Sequence, residues 1–196
     1  MQKETIAIHA GYNKKQGNGE MAVPISQTTA YAFRDSEHAA NLFALKELGP
    51  IYTRLTNPTT DVLEQRFAAL EGGAAAICTS SGQAASFFAI ANVAEAGDNV
   101  LISDKLYGGS VTLLTYTMKR FGISAKVFKS DDASDLESLI DDKTKAIYFE
   151  SLSNPQIAIP DVEKVVEIAK KHGVLTICDN TVASAALFNP IKWGVD

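Results

Sequence analysis

From about residue 74 onward, short apolar and β-branched runs alternate with longer stretches of helical periodicity, and no other feature of the sequence constrains the fold as much. Five runs read as strands, Ala74–Thr79, Asn99–Ser103, Ala125–Lys129, Lys145–Glu150 and Val174–Asp179. Each is short enough for a strand buried on both faces and too short for a core helix. Between them Gln83–Ala96, Ser110–Phe121 and Val162–Lys171 read as helices, stopped by Gly97, Gly122 and Gly173. Strands separated by helices of this length cannot pair as hairpins and must cross over in parallel. The expected class is α/β, a three-layer, mostly parallel sheet flanked by helices. The last residues, Ile191–Asp196, fall where the pattern would next place a strand, so the sheet is expected to be incomplete at the C-terminus.

Residues 1–73 lack that alternation. They hold a polar stretch, Asn13–Glu20, a turn at Pro24 and helices expected near Ser36–Leu48 and Thr59–Glu71. The second helix has a clear entrance: Asn57 caps it, Pro58 suits its first turn, and Leu63, Phe67 and Leu70 recur on one face before Gly72-Gly73. Tyr12, Tyr31, Phe33 and Phe43 lie in a region too short to bury them alone. Residues 1–55 are therefore expected to form an arm that packs on a neighbouring subunit, with 56–196 as the ligand-binding domain.

Composition narrows the chemistry. Eighteen basic against 23 acidic residues leave a net charge of −5, which shows no footprint for nucleic acid or an anionic membrane. No apolar run approaches the roughly 20 residues of a membrane span, and Met1–Gly11 does not have the pattern of a secretory signal. A cytoplasmic protein acting on small molecules is the expectation. Cys78 and Cys178 each sit in an apolar run, which suits buried reduced thiols. His9, His38 and His172 are not at metal-ligand spacings, so no metal is expected.

In open parallel sheets ligands bind beyond the carboxyl ends of the strands. After the first run comes Ser80-Ser81-Gly82-Gln83, entering a helix. Read alone it is an ordinary Ser cap; the alternative is a phosphate site on the free N–H groups of the helix start. After the second comes Tyr107-Gly108-Gly109, where glycines allow close approach to an aromatic ring, and after the fourth Glu150-Ser151-Leu152-Ser153-Asn154-Pro155. Asp179 ends an apolar strand and leads into Asn180-Thr181. A carboxylate at the edge of a core is costly unless paired, so a cationic partner is expected. Carboxylate, phosphate-suited helix start and aromatic ring together describe a pocket for a flat, cationic, phosphorylated ring such as pyridoxal phosphate. Neither a dinucleotide nor a nucleoside-triphosphate glycine motif is present in the sequence. In Tyr52-Thr53-Arg54, side chains two apart in an extended stretch would form a two-pronged phosphate clamp; the alternative is a solvated loop.

Five ordered motifs carry a family resemblance: Tyr52-x-Arg54-x-x-Asn57-Pro58-Thr59, Ser80-Ser81-Gly82-Gln83-Ala84-Ala85, Tyr107-Gly108-Gly109, Ser153-Asn154-Pro155 and Asp179-Asn180-Thr181. Over essentially its whole length the chain resembles the fold-type I pyridoxal-phosphate enzymes of cysteine and methionine metabolism. The resemblance implies the aspartate-aminotransferase-like large domain of a PLP-dependent transferase. It implies catalytic roles for Tyr107 and Asp179, with Tyr107 stacking on the ring and assisting proton transfer and Asp179 pairing with the ring nitrogen. Gly82 and Gln83 are implied to bind the phosphate, Asn154 to lie near the ring hydroxyl and substrate carboxylate, Thr181 to lie close to the cofactor, and Glu150 to support them. Tyr52 and Arg54 are implied to reach the cofactor phosphate of a neighbouring subunit, in a homotetramer built from dimers with shared active sites. The family's Schiff-base lysine stands in a Ser-x-Thr-Lys string beyond the aspartate; no such string occurs here, and Lys192 does not fit it. The chain is therefore expected to be the amino-terminal part of a longer enzyme, its large domain truncated before that lysine.

Among subfamilies, Asp35–Phe43 followed by Gly49-Pro50-Ile51-Tyr52 looks most like O-acetylhomoserine sulfhydrylases. The implied reaction is γ-replacement, O-acetyl-L-homoserine and sulfide giving L-homocysteine and acetate in methionine biosynthesis. Cystathionine γ-synthase and the methionine and cystathionine γ-lyases are the alternatives within the family. Gly109, where some methionine γ-lyases carry Cys, argues mildly against lyase chemistry. A non-catalytic cofactor- or phosphate-binding α/β module is the alternative outside it.

Overall fold

The computed structural model describes residues 2–14 and 19–196, so part of the polar stretch Asn13–Glu20 lies outside the described residues. The chain divides into two compact units, Met1–Cys78 and Thr79–Asp196.

The second unit is built on four parallel strands, β1 (Asn99–Ser103), β2 (Ser124–Phe128), β3 (Thr144–Glu150) and β4 (Leu175–Asp179), in the order β2-β1-β3-β4. All five residues of β1 are buried, as are all of β3 except Lys145, the signature of strands covered on both faces. Side chains alternate between the faces. Val100, Ile102, Ala146 and Tyr148 pack with Ile90 of α4 (Gly82–Ala91) and with Leu114 and Met118 of the next helical segment. Leu101, Ile147, Phe149 and Phe128 pack with Leu136 of α6 (Leu136–Leu139) and with Val162, Val165, Val166 and Ala169 of α7 (Val162–His172). Burying each Phe or Leu stabilises the fold by about 1.5–3 kcal/mol before conformational entropy is set against it. The segment between β1 and β2 begins as α5 (Gly108–Thr112), widens to a π turn at Leu113–Thr117 and tightens to a 3₁₀ turn at Met118–Phe121. Gly122, at φ 80°, ends it. Leu114 and Met118 are buried as their spacing predicts, whereas Val111 is 38% exposed. A four-residue helix, α8 (Ser184–Leu187), and a 3₁₀ turn at Pro190–Trp193 that holds Lys192 follow β4.

The expected strand at Ala74–Thr79 is not formed: no backbone ladder joins it to any described strand. Instead the Cys78 N–H donates to the Glu64 carboxylate at 2.7 Å, and Ile77 is 85% exposed. β-propensity describes residues that fit between neighbouring strands; it cannot supply the neighbour. The Cys78 thiol is consequently exposed, contrary to the expected burial, while Cys178 is half-buried on β4.

The first unit holds α1 (Lys3–His9), which the sequence reading did not mark, α2 (Ser36–Phe43) and α3 (Pro58–Glu71). Caps define the latter two: Asp35 accepts from the His38 N–H, and Asn57 from the Thr59 N–H. Hydrogen bonds, more than packing, tie the loops here. The Ser26 N–H donates to Thr59 Oγ1 at 2.8 Å, and the Asn57 side-chain amide to the Ser26 carbonyl at 3.0 Å. Leu42 and Val62 are the buried hydrophobics among its described residues. The Leu63 and Phe67 stripe of α3 is 45% and 49% exposed rather than turned into a core.

Candidate active site

Three strand ends and one helix start converge in the second unit on a cavity of about 410 Å³, lined by Ser81, Gly82, Gln83, Tyr107, Glu150, Leu152, Asn154, Asp179, Thr181 and Val182. Six of the expected site residues are thus gathered in one place. Its size falls within the usual range for small-molecule pockets, roughly 300–1,000 Å³.

Helix α4 enters the pocket by its N-terminus. Ser81 caps it by accepting from the Ala84 N–H at 3.1 Å, and the Ser81 carbonyl accepts from the Ala85 N–H. The N–H groups of Gly82 and Gln83 precede the first intrahelical bonds and have no partner in the helix ladder, at the positive end of its dipole. A Cβ on Gly82 would meet nothing within 4 Å, so the backbone faces open space. Both readings of Ser80–Gln83, cap and anion-suited helix start, are compatible here.

Tyr107 precedes α5 with its ring 49% exposed. Gly109 lets this ring lie where it does: a Cβ there would lie 2.6 Å from Tyr107 Cε1 and 3.3 Å from Gln83 Nε2, and the ring would have to shift. The glycine expected to let a ligand near the tyrosine thus first lets the tyrosine lie against its own backbone. Glu150, buried at the end of β3, joins two loops, accepting from the Tyr107 N–H at 2.7 Å and the Asn154 N–H at 3.2 Å. Burial, reinforced by the nearby Asp179 charge, holds its carboxyl above the usual glutamate range despite these donors.

Asp179 stands opposite Glu150 in the β3–β4 register. Its Oδ1 accepts from the Thr181 N–H at 3.0 Å and from the Thr181 hydroxyl, and its Oδ2 from the Tyr148 hydroxyl at 3.2 Å. These donors are all neutral. Among the described residues Asp179 forms no ion pair, so none of their side chains is the cationic partner expected from the sequence. Tyr148 and Ser86, which reach this carboxylate in series, were missed by the sequence reading; the available signal was that Tyr148 shares a strand face with Glu150, two residues on.

Tyr52 and Arg54 lie in the first unit, both exposed, with the Arg54 guanidinium 5.5 Å from the centre of the Tyr52 ring. The expected extended stretch is not formed: residues 53–55 make a turn closed by the Leu55 and Thr56 N–H groups on the Tyr52 carbonyl, and the two side chains meet across it. The described residues contain no group of three or more His, Cys, Asp or Glu able to hold a metal ion, and no helix is long and apolar enough to cross a membrane.

The profile of the Cys/Met metabolism PLP-dependent enzymes matches residues 4–196. The chain belongs to that family. It is 50% identical over 194 residues to the sulfhydrylase FUB7 of Fusarium oxysporum f. sp. lycopersici, covering 98% of this chain and 45% of that protein. It is 48% identical over 193 residues to the O-acetyl-L-homoserine sulfhydrylase of Leptospira meyeri, covering 98% and 44%. A Campylobacter jejuni structure described as an O-acetylhomoserine (thiol)-lyase, which carries a pyridoxyl-lysine monophosphate, superposes with a TM-score of 0.97 at 55% identity. That match covers all of this chain and 48% of the other. The chain therefore spans a little under half the length of the relatives it matches.

Proposed function

We propose that the protein acts as a pyridoxal-phosphate-dependent γ-replacement enzyme, converting O-acetyl-L-homoserine and sulfide to L-homocysteine and acetate. The observation that carries this reading is the Asp179 carboxylate, held by neutral donors and without an ion-pair partner among the described residues, in one pocket with the open N-terminus of α4. Such a donor set fits a ring bearing a protonated nitrogen at one end and a phosphate at the other, and the match to sulfhydrylases at 48–50% identity supports the choice of substrate.

The bound cofactor would supply electron withdrawal from the substrate's Cα, so that a leaving group can depart from Cγ. The chain's residues would do the rest. Asp179 would keep the proton on the ring nitrogen, and the Gly82 and Gln83 N–H groups would bind the phosphate. The Tyr107 ring would cover the cofactor face and its hydroxyl move protons, while Asn154 would orient the substrate carboxylate and Thr181 hold Asp179. Tyr52 and Arg54 would complete the phosphate site of a neighbouring subunit, which assigns residues 1–55 as an arm, 56–196 as the cofactor domain, and a homotetramer of dimers as the assembly. Two cysteines outside any disulfide suit the cytoplasm.

In the net reaction the Cγ–O bond of the ester breaks and a Cγ–S bond forms: hydrosulfide adds its sulfur and keeps its proton as the product thiol, and acetate leaves with the bonding pair. Incubating the purified full-length protein with O-acetyl- or O-succinylhomoserine, with and without sulfide, and resolving products by mass tests this. Homocysteine formed from the acetyl ester and sulfide is the expected result. A keto acid and ammonia in the absence of sulfide would instead assign a lyase, and no change in any mixture would overturn an enzymatic reading.

A further inference from the structure

We propose that Tyr148 is a positioning residue for the cofactor site, fixing the Asp179 carboxylate through a hydroxyl relay that begins at Ser86 on α4. This rests on the pyridoxal-phosphate reading of the pocket and adds to it a residue that does not line the larger cavity.

The register explains why a tyrosine is needed. Tyr148 pairs with Ile177 across β3 and β4, and Glu150 pairs with Asp179, so Tyr148 and Asp179 are diagonal neighbours two residues apart along the ladder. Diagonal positions lie about 7–8 Å apart, beyond the reach of a short side chain and within that of an aromatic one. The phenol spans the gap beneath Glu150 and stops 3.2 Å from Asp179 Oδ2. Its residue is 1% exposed and belongs to the apolar cluster that holds Ile90, Leu114 and Met118.

Proton accounting then gives the relay a direction. A carboxylate only accepts, so the single phenol proton goes to Asp179, and the phenol oxygen is left to accept from Ser86, 3.1 Å away. Ser86 has one proton and a second acceptor within reach, the Gly82 carbonyl at 3.2 Å. That one proton serves either the phenol or the carbonyl, so the relay proper is Ser86, Tyr148, Asp179, running from the helix whose start suits a phosphate to the carboxylate that suits a ring nitrogen. Burial, with the Asp179 charge beside it, pushes the phenol well above the ordinary tyrosine range, so it remains a proton donor at any working pH. A smaller cavity of about 260 Å³ borders the same series, lined by Gly82, Ser86, Tyr148, Asp179 and Thr181 among others. Without the phenol, Oδ2 would lose the Tyr148 donor and face the space of that cavity, and the carboxylate would be free to rotate out of line.

The test uses purified full-length protein titrated with pyridoxal phosphate. Affinity is read from absorbance, and protonation of the ring nitrogen from its ¹⁵N chemical shift in labelled cofactor. Tyr148→Phe removes one oxygen and preserves the ring; affinity is expected to fall about tenfold, with the ¹⁵N signal moving toward the unprotonated position. Ser86→Ala, which leaves the phenol without its own donor, should shift both readouts the same way by less. In an Asp179→Asn background Tyr148→Phe should add little. A structural role alone would lower the unfolding temperature and leave the ¹⁵N shift where it is. Wild-type protein with no saturable binding overturns the cofactor reading itself. Wild-type binding with both readouts unchanged in Tyr148→Phe and Ser86→Ala overturns only the relay, and should Tyr148→Phe fail to fold, Ser86→Ala decides.

Discussion

The two compact units treat apolar side chains in opposite ways. In Thr79–Asp196 the two central strands are filled on both faces: Leu101, Ile147 and Phe149 on one side and Val100, Ile102 and Tyr148 on the other are all at most 1% exposed. In Met1–Cys78, Leu42 and Val62 are buried, while Phe43, Leu48, Leu55 and Ile77 are 67%, 88%, 67% and 85% exposed. One unit therefore owes its order to its own core. The other is held by caps and loop hydrogen bonds and leaves its apolar surface available, as expected of a segment that completes itself on another protein surface. The polar groups differ in the same sense: Asp179 and Glu150 are fixed by donors within their unit, whereas Arg54 touches the Tyr52 ring.

The largest expected effect separates the two kinds of order. Phe149→Ala should lower stability by about 3–5 kcal/mol through lost burial and the cavity left behind. Urea unfolding should find this loss unchanged across protein concentrations. Phe43→Ala opens no cavity in its own unit; it should move the unfolding midpoint only where the protein is associated, so its effect should depend on concentration. An equal, concentration-independent loss for Phe43→Ala would break the contrast.

Next in size is the site itself. Asp179→Ala should cut the rate of homocysteine formation by about 10²–10³, the usual consequence of losing a preorganised charge. Arg54→Ala should act instead by weakening cofactor binding, about tenfold for a charge-assisted phosphate contact. If Tyr52 and Arg54 serve a neighbour, co-expressing the two variants should restore activity, because a mixed dimer contains one site with Asp179 and a donated Arg54. No recovery, with mixed dimers demonstrated, would return Arg54 to its own subunit.

The division between the units also marks how far the sequence could be read. β1 and β3 were legible within a residue because strands buried on both faces are continuous apolar runs, the more exposed β2 and β4 were also placed within a residue, and α3 was legible because Asn57-Pro58 is a helix entrance wherever it occurs. Ala74–Thr79 has the same composition and no ladder, since pairing depends on a second strand and not on the segment itself. Leu63 and Phe67 kept the predicted helix but not the predicted burial, because periodicity orients a face without saying what covers it. In the site, the strand-end rule was sufficient to name Tyr107, Asn154 and Asp179. It could not name Ser86 and Tyr148, which lie inside elements and matter only because helix and strand register bring their hydroxyls within 3.1 Å.

The smallest effect expected here tests whether Glu150 is a positional clamp or merely a buried charge. Its carboxyl is raised by burial, so the folded chain holds that proton more tightly than the unfolded chain does. Where the folded state binds more protons, stability falls as pH rises, from the ordinary glutamate value through the raised one. Glu150→Gln removes that slope, and the unfolding midpoint of the variant should drop less than the wild type's between pH 4.5 and 7. The amide pays for this in geometry: with one acceptor oxygen for the Tyr107 and Asn154 N–H groups, it must turn an NH₂ toward one of them. That mismatch should cost about 1–2 kcal/mol and should loosen one of the two loops that frame the pocket. Cofactor affinity should follow the loop and stay weakened at both pH values. An affinity that recovered at pH 7 along with stability would show that charge, not the two-loop clamp, sets the contribution of Glu150.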